Sequence, residues 1–194
     1  MHLILASASP RRAALLRAAD IPFEVSPADV NEAFHARERP EDAVARVAEL
    51  KARAVAARHQ EAVVLGADTT VVVGGEALGK PADAADAARM LRLLSGRSHD
   101  VLTGVCLCSR GRTLVHVEPS RVRMARLSEP EIAWYVATGE PTDKAGAYAV
   151  QGRASRFIEG IEGSYSNVVG LPISSVCELL KALGCDILGL QNTP

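Results

Sequence analysis

Asp68 falls inside Val63–Val73, a run in which nearly every neighbour is apolar. A lone buried carboxylate costs several kcal/mol unless something compensates it. Either Asp68 caps a turn between two strands, or it meets a metal or a cationic partner at a site. Gly66 and Ala67, just before it, favour the second reading because they permit close approach by another group. Lys51 poses the same question. It lies four residues after Val47 and four before Val55, on the helix face that should be buried. Its stem is buried with the ammonium in water, or the ammonium points into an internal anion pocket. At the N-terminus an apolar strand runs into Ser7-Ala8-Ser9, and Pro10, Arg11 and Arg12 open a helix. Helix N-termini favour anions through aimed N–H groups and a positive dipole end. An arginine pair there is mildly unfavourable for the helix itself and points to an outside anion. The plain alternative is a capped surface helix with two solvated arginines.

Gly74-Gly75-Glu76-Ala77-Leu78-Gly79-Lys80 has the spacing of a phosphate loop, but Pro81 stands where that motif needs a hydroxyl for magnesium. The Gly-Gly pair reads better as a hairpin turn, leaving Lys80 as a cation on a segment folded back along residues 69–73. Glu32, in a polar loop, is the best second acid, although loop glutamates are often merely solvated. Arg11, Arg12, Lys51 and Lys80 with one or two acids suit a nucleoside triphosphate and a divalent metal. The polyphosphate carries roughly four negative charges, and carboxylates hold the metal that bridges its oxygens.

The elements that must position these groups alternate along the chain. Strands are expected at residues 2–6 and 22–25, and helices at 10–19 and from Pro40, where Glu41 and Asp42 occupy the first turn. Residues 62–73 form an apolar stretch interrupted at Asp68. A helix over about 83–94 precedes two long strands, 98–108 and 113–126. Ser128 and Glu131 form a capping box for a helix to about Thr138. A Gly-rich section with short strands leads to a last helix over 173–183. The long central hairpin argues against a purely parallel sheet, so the expected class is mixed α/β.

A chain of 194 residues suits one domain or two small lobes with a substantial core. Net charge is −1 and only 4% of residues are aromatic, which argues against a nucleic-acid-binding surface. No apolar run approaches a membrane span, and the N-terminus lacks the positive region of a secretory signal. Cys106, Cys108, Cys177 and Cys185 make no metal-binding spacing and read as free thiols of a reducing cytoplasm.

Leu5-Ala6-Ser7-Ala8-Ser9-Pro10-Arg11-Arg12, Glu49-Leu50-Lys51-Ala52-Arg53, Gly66-Ala67-Asp68-Thr69, Gly79-Lys80-Pro81 and Leu94-Ser95-Gly96 resemble the Maf family of nucleoside triphosphate pyrophosphatases. So do Asp143-Lys144-Ala145-Gly146-Ala147-Tyr148, Val150-Gln151-Gly152, and Gly163-Ser164-Tyr165 through Asn167-Val168-Val169-Gly170-Leu171-Pro172. The resemblance runs in order from about residue 3 to residue 184 and makes residues 1–194 a single domain of this type. It implies a long central twisted sheet with flanking helices, in two lobes around a cleft, as in inosine triphosphate pyrophosphatases. It also implies cleavage between the α- and β-phosphates, with Mg²⁺ or Mn²⁺ as cofactor. By position, Asp68 matches the proton acceptor, and Ser7, Arg12, Glu32, Lys51 and Lys80 match polyphosphate and metal contacts. Glu32 and Asp68 are the implied metal ligands, and Arg11, Thr69 and Gln151 fall where base specificity is set. The Asp143–Tyr148 and Gln151-Gly152 pattern resembles the branch acting on dTTP and UTP. The branch acting on 7-methyl-GTP usually has Ser-Phe and Glu there. Asn31 stands where members often carry a further acid, which leaves the ligand count open. Members are often homodimers, and neither membrane nor nucleic acid is an expected partner. Residues alone also allow a triphosphatase releasing orthophosphate, or a nucleotide-sensing regulator of division with incidental hydrolysis.

Overall fold

A computed structural model describes residues 2–186. In chain order the elements are β1 (Leu3–Leu5), α1 (Pro10–Ala18), β2 (Glu24–Val25), α2 (Pro40–Ala56), β3 (Val63–Val73), β4 (Glu76–Leu78) and α3 (Ala84–Leu94). There follow β5 (Ser98–Ser109), β6 (Arg112–Met124), α4 (Glu129–Ala137), β7 (Ile158–Glu162), α5 (Tyr165–Val169) and α6 (Ile173–Ala182). Among the described residues seven strands form one sheet in the order β2-β1-β3-β5-β6-β7, with β4 paired to β3. Parallel β1–β3 and antiparallel β3–β4 pairs occur together, so the expected mixed α/β class holds. No helix among these residues is long and apolar enough to cross a membrane. The chain divides into two compact units. The first holds Met1–Asp68, Thr103–Glu118 and Gly170–Pro194; the second holds Thr69–Leu102 and Pro119–Val169.

In the first unit β1 pairs in parallel with both β2 and β3, Leu3 opposite Val63 and Leu5 opposite Leu65. Alternate side chains of a strand point to opposite faces. Leu3, Leu5, Val63, Leu65 and Ala67 pack with Leu16 of α1 and with Val176 and Leu180 of α6. Ile4, Ala6 and Val64 pack on the other face with Ala48, Ala52 and Val55 of α2. Helices on both faces explain why β3 reads as a nearly unbroken apolar run. They also rule out the capping reading of Asp68, because β3 passes through that residue without a break.

Gly66 and Gly104 let α2 lie directly on the sheet. A Cβ added at Gly66 would sit 2.2 Å from the Ala48 carbonyl oxygen, and one at Gly104 would sit 2.2 Å from that of Val44. Neither carbonyl can move without breaking the helix. Gly66→Ala is therefore expected to destabilise the protein by about 3 kcal/mol, the upper range for overpacking. Denaturant unfolding checks this, and an unchanged midpoint would contradict the close approach.

In the second unit Gly74 and Gly75 adopt positive φ (57° and 85°) and turn β3 into β4, pairing Val71 with Leu78 and Val73 with Glu76. This is the expected hairpin rather than a phosphate loop. Asp83 caps α3 by accepting from the Asp86 amide at 2.8 Å, and the Ser128/Glu131 capping box opens α4. Between α4 and β7, where short strands were expected, the chain forms three short 3₁₀ turns at Glu140–Asp143, Ala145–Ala147 and Arg153–Phe157. Pro141 and the positive-φ glycines 139 and 146 favour turns over extended pairing here. Only β7 of that section is a strand, and it pairs antiparallel with β6.

His99 is 2% exposed and shares a 2.8 Å hydrogen bond between its Nε2 and the Tyr148 hydroxyl. Its Nδ1 has no partner among the described residues. Burial lowers its pKa to about 4. The unfolded chain, with histidine near its ordinary 6.5, therefore takes up a proton first as pH falls. Stability held above pH 6.5 should decline between pH 6.5 and 4 by about 3 kcal/mol from this group. His99→Gln should flatten that limb in urea titrations at pH 7 and pH 4.5. An equally steep limb in the variant would remove the assignment.

Candidate active site

Asp68 and Lys51 meet because two periodicities agree. On β3, residues 64, 66 and 68 share the face that α2 covers; on α2, Ala48, Lys51, Ala52 and Val55 share the stripe that covers it. Lys51 is 6% exposed and donates from Nζ to Asp68 Oδ1 at 2.9 Å, and Asp68 itself is 9% exposed. The ammonium is thus turned inward, not extended to solvent. The same nitrogen lies 2.7 Å from Glu32 Oε2, whose side chain is 51% exposed. One cation therefore joins a buried acid to a half-exposed one.

Arg12 completes the cluster. Its guanidinium is buried and donates from Nε to the Gly170 carbonyl (2.8 Å) and from Nη1 to Ser7 Oγ (3.1 Å) and the Ala67 carbonyl (2.9 Å). Ser7 Oγ also accepts from the Ser9 amide at 3.2 Å, which closes the turn before α1. Burial pulls the Arg12 guanidinium below its usual pKa, and the nearby charges of Asp68 and Glu32 oppose that shift. Arg12 therefore joins the N-terminal turn to the residue preceding Asp68, rather than waiting at the helix end as a solvated hook. Arg11, its neighbour, is half-buried.

The loop holding Glu32 has no regular structure, yet it is pinned from α2. Arg46 donates to the Ala33 carbonyl (3.1 Å) and makes two 2.7 Å bonds to Glu38. Those bonds hold the Glu38 carboxyl down at about 2. The remaining candidates lie in the second unit. Thr69 follows Asp68 directly and is half-buried, Lys80 is exposed just after β4, and Gln151 is exposed in a turn after a buried stretch. Gly146 donates to the Gly79 carbonyl at 3.0 Å, so Lys80 and the segment leading to Gln151 share a framework. Asp143 and Lys144 pair with each other, as their adjacency suggests.

Residues 2–183 match the model of the family described as Maf-like protein. The chain belongs to the Maf family. It is 55% identical to the dTTP/UTP pyrophosphatase of Koribacter versatilis, with 95% of each chain covered. It is 56% identical to the protein of the same name from Symbiobacterium thermophilum (96% of each). With that of Myxococcus xanthus it shares 53% identity over 95% of this chain and 94% of the relative. Among solved structures, a HAM1 protein from Coxiella burnetii aligns with a TM-score of 0.54 at 16% identity, covering 95% of this chain and 98% of that one. The Ham1 protein of Staphylococcus aureus gives 0.51 at 15% identity, covering 94% and 100%. These two share the fold.

The Maf cluster built by Ser7, Arg12, Glu32, Lys51 and Asp68 carries two positive and two negative charges. It is neutral by itself and would not draw in a polyanion without further cations. Among the described residues no group of three or more His, Cys, Asp or Glu side chains is placed to hold a metal. Two carboxylates gathered on one ammonium are nonetheless hard oxygen donors of the kind that suits Mg²⁺ or Mn²⁺, which keep water and phosphate oxygens in their other positions. Residue types alone do not reveal the backbone acceptors at Ala67 and Gly170 or the loop anchor Arg46. Carbonyls carry no side-chain signal. Arg46 offered one, a cation five residues before Lys51 on the same helix.

Proposed function

We propose that the chain hydrolyses the α–β phosphoanhydride of dTTP and UTP, giving the nucleoside monophosphate and pyrophosphate, as one catalytic domain in the cytoplasm. The observation that carries this reading is the Glu32–Lys51–Asp68 cluster, a buried acid and a loop acid gathered on one inward-facing ammonium. The names printed for relatives 53–56% identical over nearly the whole chain support the substrate class.

In this reading Glu32 and Asp68 hold a divalent cation, Mg²⁺ or Mn²⁺. When bound, it neutralises phosphate charge and raises the acidity of the attacking water. Asp68 orients that water and takes its proton at the carboxylate. An aspartate is a weak base near neutral pH, so orientation is its main contribution. Lys51 and Lys80 place positive charge on the phosphate oxygens as negative charge shifts toward the leaving pyrophosphate. Arg12 and Ser7 shape the turn that meets the polyphosphate, and Arg11 adds charge at its rim. Gln151 offers one donor and one acceptor, which complement O4 and N3–H of uracil or thymine, and Thr69 stands beside Asp68 to assist that selection. The family resemblance adds a homodimer as the expected assembly.

A panel of nucleoside triphosphates with magnesium or manganese, assayed for pyrophosphate, tests this reading. UTP and dTTP should turn over many times and exceed ATP, CTP, GTP and 7-methyl-GTP. Tight binding with substoichiometric product would instead favour a sensor, and preference for 7-methyl-GTP would move the chain to the other branch.

A further inference from the structure

The turn that presents Gln151 is held from below by two side chains outside the catalytic cluster. Tyr135, on α4, is fully buried, with Phe157 edge-on at a ring separation of 6.0 Å. Its hydroxyl accepts from the Ala149 amide at 3.1 Å and donates to Glu140 Oε1 at 2.8 Å. Glu140 Oε2 in turn accepts from the Arg153 amide at 3.1 Å. The first amide opens the tetrapeptide Ala149–Gly152 and the second directly follows it, and the tetrapeptide closes on itself through a Gly152 amide to Ala149 carbonyl bond of 3.0 Å. A Cβ at Gly152 would lie 2.4 Å from Glu140 Oε1, so the backbone approaches the carboxylate as closely as glycine allows. One phenol and one carboxylate thereby grip the turn at both ends, and Gln151 is left exposed at its tip.

We propose that Tyr135 and Glu140 are positioning residues for base selection, fixing the turn so that the Gln151 amide meets the pyrimidine edge in one orientation. This rests on the reading above that Gln151 recognises the base. Uracil and cytosine present opposite hydrogen-bonding patterns at N3 and C4, so a glutamine amide discriminates between them only if its orientation is fixed. A swinging amide satisfies either. The grip supplies that constraint at a site with no regular ladder to supply it. Burial pushes the Glu140 carboxyl up, but the Arg153 and Ala154 amides and the Tyr135 hydroxyl together hold it below its ordinary value. It therefore remains an acceptor at neutral pH.

The test compares kcat/KM for UTP and CTP in the wild-type protein, Tyr135→Phe, Glu140→Gln and Gln151→Ala. Tyr135→Phe retains the ring packing and removes only the hydroxyl. It should lower the UTP-to-CTP ratio about tenfold, the size of one disturbed hydrogen bond, through a higher KM for UTP with kcat nearly kept. Glu140→Gln should move the ratio the same way, and it decides the matter if Tyr135→Phe fails to fold. An equal loss for both nucleotides, with the ratio intact, would mean a purely structural role and overturn the proposal. If Gln151→Ala collapses the ratio while both grip variants leave it unchanged, the grip is refuted and the base reading survives. If Gln151→Ala leaves the ratio unchanged, the base reading itself fails and this proposal falls with it.

Discussion

Asp68→Asn is expected to keep the protein folded and able to bind nucleotide while pyrophosphate release falls about a thousandfold. Asparagine is nearly isosteric, and its Oδ1 still accepts the 2.9 Å bond from Lys51 Nζ. Lys51 also retains Glu32 at 2.7 Å, so no buried cation is stranded. What disappears is the negative charge that, in the proposed mechanism, would anchor a dication and take the proton of the attacking water. Steady-state turnover measured beside calorimetric binding of UTP separates the two roles. Near-normal turnover in this variant would remove Asp68 from the chemistry.

Lys51→Met probes the other half of the pair. Methionine fills the apolar stem between Ala48 and Val55 and deletes the ammonium that joins two acids. Loss of an electrostatic contact in a water-poor site costs about 2–4 kcal/mol of transition-state stabilisation. That corresponds to about a thirtyfold to thousandfold fall in turnover. Folding should also weaken, because Asp68 loses its hydrogen-bonded cation. The penalty should stay below the ~3–5 kcal/mol of a fully buried broken pair. Glu32 is half-exposed and Arg12 remains beside Asp68, so neither acid is left wholly uncompensated. Turnover within twofold of wild type, with an unchanged unfolding midpoint, would show that this contact contributes to neither.

Much of this cluster was legible in the sequence because it violated its surroundings. A carboxylate inside Val63–Val73 and a lysine on an apolar helix stripe each stood out from their surroundings, and the structure pairs one with the other. The alternative reading, a turn at Asp68, is not what the chain adopts. The compensating cation let the strand continue, so burial and ladder pairing prevailed over the preference of aspartate for turns. The section after α4 was less legible. Glycine and proline announced irregular backbone there, but short strands and 3₁₀ turns share that composition, and the choice was settled by contacts distant in sequence. Gly146 against Val71 and Glu140 against Gly152 are such contacts. The role of Arg12 was half visible. Its charge was obvious at the helix start, whereas its bonds to oxygens of Ser7, Ala67 and Gly170 depend on how separate elements are brought together.

Phosphorus NMR of UTP incubated with the protein and magnesium identifies the broken bond most directly. The proposed α–β hydrolysis predicts resonances of UMP and pyrophosphate alone, growing together through many turnovers. UDP with orthophosphate would place the attack at the terminal phosphorus and contradict the account.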